Sequence, residues 1–188
     1  MTKININFDV KSLKQAIKKV KTIRGKIQSE TPSIFIDKCL NWVMNRANMY
    51  LSSLNMGGNV IADIQGGWHI ETVAPNIKRL VNTSQKAVFV EFGVGKKAQT
   101  EPHPNANNNT PPYEYNVNSG KKDYQGRWRF RVSEETDVDL IVGNYDRDGD
   151  LILTSGSPAT LYLYNASMDL ISEGAYKKLW QETLKQTI

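Results

Sequence analysis

The feature that most restricts the fold is a polar segment in the middle of the chain, residues 96–126. It contains six Asn and four Pro, and it has no Ile, Leu, Phe or Met. Such a segment buries little apolar surface, and long structureless loops inside a compact domain are uncommon and usually functional or disordered. We therefore expect residues 96–126 to be an inserted loop that projects from the fold.

The composition of the whole chain is that of an ordinary globular protein. Hydrophobic residues make up 39% and charged residues 23% of the 188 positions, which predicts one domain over residues 1–188. No apolar run approaches the roughly 18 residues of a membrane span, and the first residues do not resemble a secretory signal. We expect a protein that is made in the cytosol and does not enter a membrane.

Three stretches have apolar residues at helical spacing. Residues 10–28 carry one apolar stripe surrounded by lysines, and residues 32–54 follow a capping Thr31 with Pro32 at the first helical position. The last stretch, residues 161–184, shows the same spacing with an interruption at Gly174. These patterns predict helices at both ends of the chain.

Alternating apolar and polar residues predict strands between the helices. The sequence Asp148-Gly149 is a favoured hairpin turn. The predicted strands are residues 68–72, 77–81 and 127–132, together with 140–142 and 151–153 on either side of the turn. The expected fold class is α+β, with N-terminal helices, a small and mainly antiparallel sheet that contains the long inserted loop, and a C-terminal helix.

Charge is segregated along the chain. Residues 1–30 contain eight basic and two acidic side chains, whereas residues 134–150 contain seven acidic side chains and Arg147. Three interpretations of the basic segment are open. It is a solvated helix face, or it is a surface that binds nucleic acid, or it is complementary to the acidic segment within one fold or between copies. The candidate residues are Lys18, Lys19, Lys21, Asp146, Asp148 and Asp150.

Arginines also alternate with aromatic residues in the predicted strand 127–132. Platforms for single-stranded nucleic acid are sometimes built this way, but they need exposed aromatic rings. Strict alternation places Trp128 and Phe130 on the face opposite the arginines. A core face with a charged outer face is the favoured interpretation.

The residues that usually carry catalysis or bind metal are few and scattered. Cys39 lies in an apolar helix, where a thiol behaves as a small hydrophobic side chain. His69 and His103 are far apart and lack metal-ligand spacing. We expect no metal, no cofactor and no enzymatic activity.

Two short motifs resemble ligand-binding loops without meeting their requirements. The run from Gly93 to Lys97 lacks the first glycine and the Ser or Thr of a phosphate-binding loop. The run that begins at Asp146 has Leu151 and Ser157 where a calcium loop needs Gly and Glu. A hairpin turn is favoured over a calcium site.

A longer arrangement is more specific. The run from Ala87 to Gly95 reads Ala-Val-Phe-Val-Glu-Phe-Gly-Val-Gly, and a late Gly156-Ser-Pro-Ala159 leads into a segment rich in aromatic residues and alanine. Together with the helical N-terminal region, this arrangement resembles the tail-completion (neck, head-tail joining) family of long-tailed bacteriophages. The resemblance covers about residues 10–172.

The resemblance implies a structural virion protein. Copies would form a ring, hexameric in this family, at the head-tail junction after synthesis in the host cytoplasm. Its partners would be further copies, adjacent neck and tail tube proteins, and DNA in the lumen. Glu91, Phe92 and Gly93 would form a close-packed corner, with positive φ at Gly93 and Gly95. The alternative function is a basic nucleic-acid-binding module.

Overall fold

The structure is a computed structural model that describes residues 10–93, 103–105, 128–131, 146–148, 151–154 and 158–187. Six helices and two small sheets make up these residues, with helices at both ends, so the predicted α+β class is confirmed. Apart from residues 103–105, the predicted loop insertion 96–126 lies outside the described residues.

The two N-terminal helices have nearly the predicted limits. Helix α1 spans Val10–Ser29 and α2 spans Thr31–Ser53. Glu30 lies between them, and its N–H still donates to the carbonyl of Lys26 at 2.9 Å. The apolar spacing was sufficient to predict both helices, because each is longer than five turns and the periodicity repeats several times.

Two short helices lie where the sequence pattern predicted none. Helix α3 spans Gly58–Gly66 and buries Val60 and Ile64, and α4 spans Gln85–Phe92. Ser84 caps α4 by accepting a hydrogen bond from the N–H of Lys86, and its hydroxyl donates to Asp63 of α3. Short helices of this kind depend on caps and packing more than on propensity.

The first sheet is a hairpin of strands β1, Trp68–Ala74, and β2, Ile77–Asn82, so the strands predicted at residues 68–72 and 77–81 are confirmed. The connection contains Asn76 with a φ of 60°, a left-handed conformation that Asn tolerates better than most residues. Arg79 of β2 donates to Glu71 of β1 at 2.7 Å.

The second sheet has the order β3-β5-β4 and is antiparallel throughout. Its strands are β3, Trp128–Arg131, β4, Asp146–Asp148, and β5, Leu151–Thr154. A hairpin that leads into the strand at Leu151 is present, but Asp148 lies in β4 and pairs with Leu151, so its prediction as a turn residue was wrong. The first strand of this hairpin is β4, whereas the predicted residues 140–142 lie outside the described part of the chain.

The C-terminal region forms two helices, α5 at Tyr162–Ser172 and α6 at Ala175–Thr187. Gly174 separates them with a φ of 67°, which explains the interruption seen in the sequence pattern.

The chain divides into two compact units. The first comprises residues 1–45, 70–80 and 167–188, and the second comprises residues 46–69 and 81–166. In the first unit α1 packs against α6. The rings of Phe35 and Trp180 meet edge to face, with their centroids 5.1 Å apart. Lys78 forms an ion pair with Asp37 at 2.5 Å.

The fully buried core of the second unit combines aliphatic side chains with one aromatic ring. Its fully buried apolar side chains have exposed fractions of 0–2%, and they are Ala47, Leu51, Val60, Ile64, Tyr162 and Ala166. The prediction of a single domain over residues 1–188 stays a prediction.

Candidate functional site

The most elaborate polar arrangement in the described residues surrounds Glu91, near the end of α4. Although it is charged, Glu91 is only 5% exposed, and its neighbours Val90 and Phe92 are buried with it. A carboxylate in an apolar core must be compensated by hydrogen bonds. Glu91 therefore requires donors from other parts of the chain.

Two of these donors are backbone groups of the first turn of α5. The N–H of Leu163 donates to Oε2 and the N–H of Tyr164 donates to Oε1, each at 2.9 Å. The first N–H groups of a helix have no partner within the helix, and a negative charge is favourable there. Glu91 thus caps a helix that lies 72 residues further along the chain.

The third donor is His103, which belongs to the polar segment 96–126. Its Nε2 lies 2.9 Å from Glu91 Oε1, and its Nδ1 accepts a hydrogen bond from the N–H of Asn105 at 3.0 Å. Because a backbone N–H can only donate, Nδ1 carries no proton, so Nε2 carries the proton that it donates to Glu91. The contact joins a neutral imidazole to a carboxylate.

Aromatic rings enclose the imidazole. The ring of Phe92 lies 4.2 Å from that of His103, and the ring of Tyr164 meets it edge to face at 5.4 Å. His103 is 3% exposed. Because Glu91 and His103 are both buried and hydrogen-bonded to each other, the pair joins α4 to residue 103 of the polar segment.

A second set of bonds joins α4 to the residues that precede α5. Thr160 donates to the carbonyl of Val90 through its hydroxyl at 2.7 Å and its N–H at 3.2 Å. Leu161 then adopts a φ of 57°, an uncommon conformation for a residue with a side chain. Gly93 has a φ of 71°, as predicted, whereas Gly95 lies outside the described residues.

Tyr162 completes the packing beneath this corner. It is 2% exposed, its hydroxyl donates to the carbonyl of Ala87 at 3.4 Å, and its ring meets Trp68 edge to face. Burial, and secondarily the negative charge of Glu91, raise the pKa of Tyr162. We name the set Glu91, Phe92, His103, Thr160, Tyr162 and Tyr164 the Glu91 cluster.

The candidate lysines lie elsewhere, on α1. Lys18, Lys19 and Lys21 are exposed. Lys18 and Lys19 line a groove of about 400 Å³ that also includes Ile23 of α1 and Thr187 at the end of α6. The structure thus brings two of the three predicted lysines together at one groove of the first unit.

The apolar stripe of α1 is only partly buried. Ala16 is 7% exposed, but Leu13, Ile17 and Val20 are 43%, 54% and 53% exposed. These three residues share a helix face because they are spaced by four and three positions. We name Leu13, Ile17 and Val20 the α1 stripe.

Two of the three candidate acidic residues, Asp146 and Asp148, belong to the second sheet. Asp146 pairs in register with Leu153, and Asp148 pairs with Leu151. Their side chains and all of Asp150 lie outside the described part of the structure.

The remaining candidates for chemistry are isolated. Cys39 is partly exposed on α2, and burial raises the pKa of its thiol. Among the described residues, no three His, Cys, Asp or Glu side chains are grouped as metal ligands would be. None of the described helices is long and apolar enough to cross a membrane.

The sequence contained only part of the signal for the Glu91 cluster. The resemblance implied a close-packed corner at Glu91, Phe92 and Gly93, but nothing in the sequence predicted the hydrogen-bond partners of Glu91. His103 lies between two prolines in a polar segment, where nothing marks it as buried. Thr160 and Tyr164 belong to the late segment on which the resemblance rests, but their contacts with α4 became visible only in the structure.

No protein-family model, curated protein or solved structure matches the chain.

Proposed function

We propose that this chain is a structural subunit of the head-tail junction of a long-tailed bacteriophage, where copies form a ring. The observation that carries the proposal is the contact between two distant sequence segments. Val90 and Glu91 belong to the first motif of the resemblance, and Thr160 and Leu163 belong to the second. The hydrogen bonds bring the two motifs together in one structure. This is expected if both motifs belong to the fold of the family that the sequence resembles.

The exposed apolar side chains support a role in assembly. A soluble monomer rarely exposes grouped apolar residues without a binding function. Here the α1 stripe is exposed, and so are residues in other elements: Met49, Val73, Ile77, Met168 and Ile171, each 46–65% exposed. In a ring each copy contacts its neighbours through two different faces, so several such surfaces become buried.

The proposed partners follow from the position at the junction. They are further copies of the chain, adjacent neck and tail tube proteins, and DNA that passes through the lumen. The protein performs no chemistry in this role. Its virion location follows assembly from subunits made in the host cytoplasm.

A second function, a basic nucleic-acid-binding module, is favoured by one observation. Lys18, Lys19 and Lys26 line the same groove on the first unit. Lysines grouped in this way bind phosphates through a sequence-independent and salt-dependent attraction. This function predicts tight DNA binding by a monomer or a dimer.

Light scattering after size-exclusion chromatography, combined with a DNA shift assay, separates the two functions. The ring predicts a closed oligomer, hexameric by the resemblance, with weak affinity for DNA. The same protein with Ile17→Asp is the control for assembly, since this substitution places a charge in the α1 stripe. A monomer or dimer that binds DNA tightly at low salt and releases it at high salt would favour the alternative.

A further inference from the structure

The α1 stripe needs a partner of particular chemistry. Helix α1 contains seven basic residues and no acidic residue between Val10 and Ser29. Lys14 lies three positions before Ile17 and Lys21 four positions after it, so both neighbour the stripe on the helix surface. A second α1 helix would therefore bring like charges together, which is destabilising. The surface that covers the stripe must be apolar and acidic.

Helix α5 meets both requirements. It contains Asp169 and no basic residue, and Glu173 follows its last residue. Met168 and Ile171 are 46% and 65% exposed, and their spacing of three places them on one face. Among the described helices, α5 alone combines exposed large apolar residues with acidic and no basic side chains.

The end of α5 adds to this negative character. Ile171 lies next to the last residue of the helix, where the carbonyl groups carry a partial negative charge. The nearest lysines in sequence, Lys177 and Lys178, belong to α6, which begins after the change of direction at Gly174. Lysines that flank an apolar stripe are therefore suited to this helix end.

We propose that the α1 stripe of one copy packs against Met168 and Ile171 of another copy. Leu13, Ile17 and Val20 supply the apolar half of the contact, and Lys14 and Lys21 approach the acidic residues around Ile171. This contact rests on the proposed function only in that a ring repeats it head to tail. Lys18 and Lys19, which line the groove, lie on a different side of α1, since neither is three or four positions from a stripe residue.

Cross-linking between two single-cysteine proteins tests this contact. Both carry Cys39→Ser, one adds Ile17→Cys, and the other adds Ile171→Cys. After mixing at high protein concentration under oxidising conditions, we expect a disulfide dimer that neither protein forms alone. Because the two cysteines are on separate chains, every such product is a contact between copies. Both positions are exposed, so the variants should fold, and circular dichroism checks this.

The matched control mixes the Ile17→Cys protein with one that carries Met49→Cys, since Met49 is 64% exposed but lies on α2. This pair should not cross-link above the background of each protein alone. Equal cross-linking to Met49→Cys, no product in the main mixture, or efficient self-linking of Ile17→Cys would each overturn the proposal.

The light-scattering experiment separates this failure from failure of the proposed function. A closed ring without the 17–171 disulfide would contradict the contact and leave the ring intact. A specific disulfide in a protein that stops at a two-fold dimer would support the contact and contradict the ring.

Discussion

Glu91 is the residue with the most demanding environment in the described structure. Its carboxylate accepts hydrogen bonds from two backbone N–H groups and from the imidazole of His103. Each bond to a charged acceptor contributes about 1.5–3 kcal/mol, and a buried donor left without a partner costs about 1–3 kcal/mol. The residue therefore links α4, α5 and His103 in a single hydrogen-bonded arrangement.

Replacing Glu91 with Gln should lower the free energy of unfolding by about 1–3 kcal/mol. The amide has nearly the same shape, but its NH₂ group would face an N–H donor. Chemical denaturation measures the loss, and hydrogen exchange should become faster at the amides of Leu163 and Tyr164. The exposed Glu182→Gln is the matched control and should change stability by less than about 0.5 kcal/mol. Equal stabilities of the two variants would contradict the capping role.

Gly67 is required for a different reason, the close approach of other atoms. A Cβ at this position would lie 2.5 Å from Oδ1 of Asn82 and 3.0 Å from the N of Ser84. That same Oδ1 accepts the N–H of Ser84, and the Asn82 amide donates to the carbonyl of Ile64. A methyl group would displace Asn82 from both contacts.

We expect Gly67→Ala to destabilise the protein by about 1–3 kcal/mol, the usual cost of overpacking. Gly66→Ala is the control, because a Cβ at Gly66 meets nothing within 4 Å. It should be neutral or stabilising by up to about 1 kcal/mol, since Ala favours a helix over Gly. Thermal unfolding of both variants measures the difference in stability. Similar melting temperatures would show that Asn82 can move away from the added methyl group without loss of stability.

At the scale of elements, α4 illustrates how a short helix is defined by its ends. Ser84 caps its first turn, and Gly93 turns the chain with a φ of 71° directly after Phe92. Both flanking residues are needed because eight residues are too few to form a stable helix in isolation. Tertiary burial of Ala87, Val90 and Phe92 supplies the remaining stability.

Gly93→Val should therefore prevent stable folding. A β-branched residue is strongly disfavoured at this φ, and the backbone here is buried next to Glu91. Soluble yield and circular dichroism measure the effect. Gly58→Val is the control, since its Cβ would meet nothing within 4 Å and its φ is ordinary. A Gly93→Val protein as stable as the control would mean that the corner tolerates another conformation.

The helices also show how much of the fold could be predicted from the sequence. Long periodic patterns predicted α1, α2 and the break at Gly174, because those patterns depend on local spacing alone. Helices α3 and α4 were not predicted, since each is short and lies beside glycines or a continuous apolar run. The same limit applies to the candidate site: spacing shows that Leu13, Ile17 and Val20 share a face, but not that this face is exposed.

Contacts between residues far apart in the chain were the hardest to predict from the sequence. Glu91 was expected at a close-packed corner, yet its hydrogen-bond partners lie up to 73 residues away along the chain. Which N–H groups it accepts depends on the path of the whole chain between the two motifs. The burial of His103 depends on the same path.

For the whole molecule, the distribution of charge and apolar surface is the informative property. The chain has a net charge of +5, with eight basic side chains in residues 1–30 and seven acidic ones in residues 134–150. Among the residues whose side chains the structure describes, few apolar side chains are buried and several large ones are exposed. Such a molecule is suited to contacts with neighbours of complementary charge.

Charge reversal tests whether the lysines contribute to assembly. The triple variant Lys18→Glu, Lys19→Glu, Lys21→Glu should assemble less, because the attraction to acidic segments of neighbouring copies becomes repulsion. Raising the salt concentration should weaken assembly of the original protein and strengthen that of the variant, since ions screen both effects. Light scattering across a salt series measures this. Identical assembly of the two proteins at every salt concentration would rule out an electrostatic role for these lysines.

The most direct measurement for the proposed function is electron microscopy of particles made by a phage from which this protein has been deleted. A subunit of the junction leaves DNA-filled heads and finished tails that do not join, and adding the purified protein to the extract should restore complete virions. Complete, infectious virions formed without the protein would contradict the account.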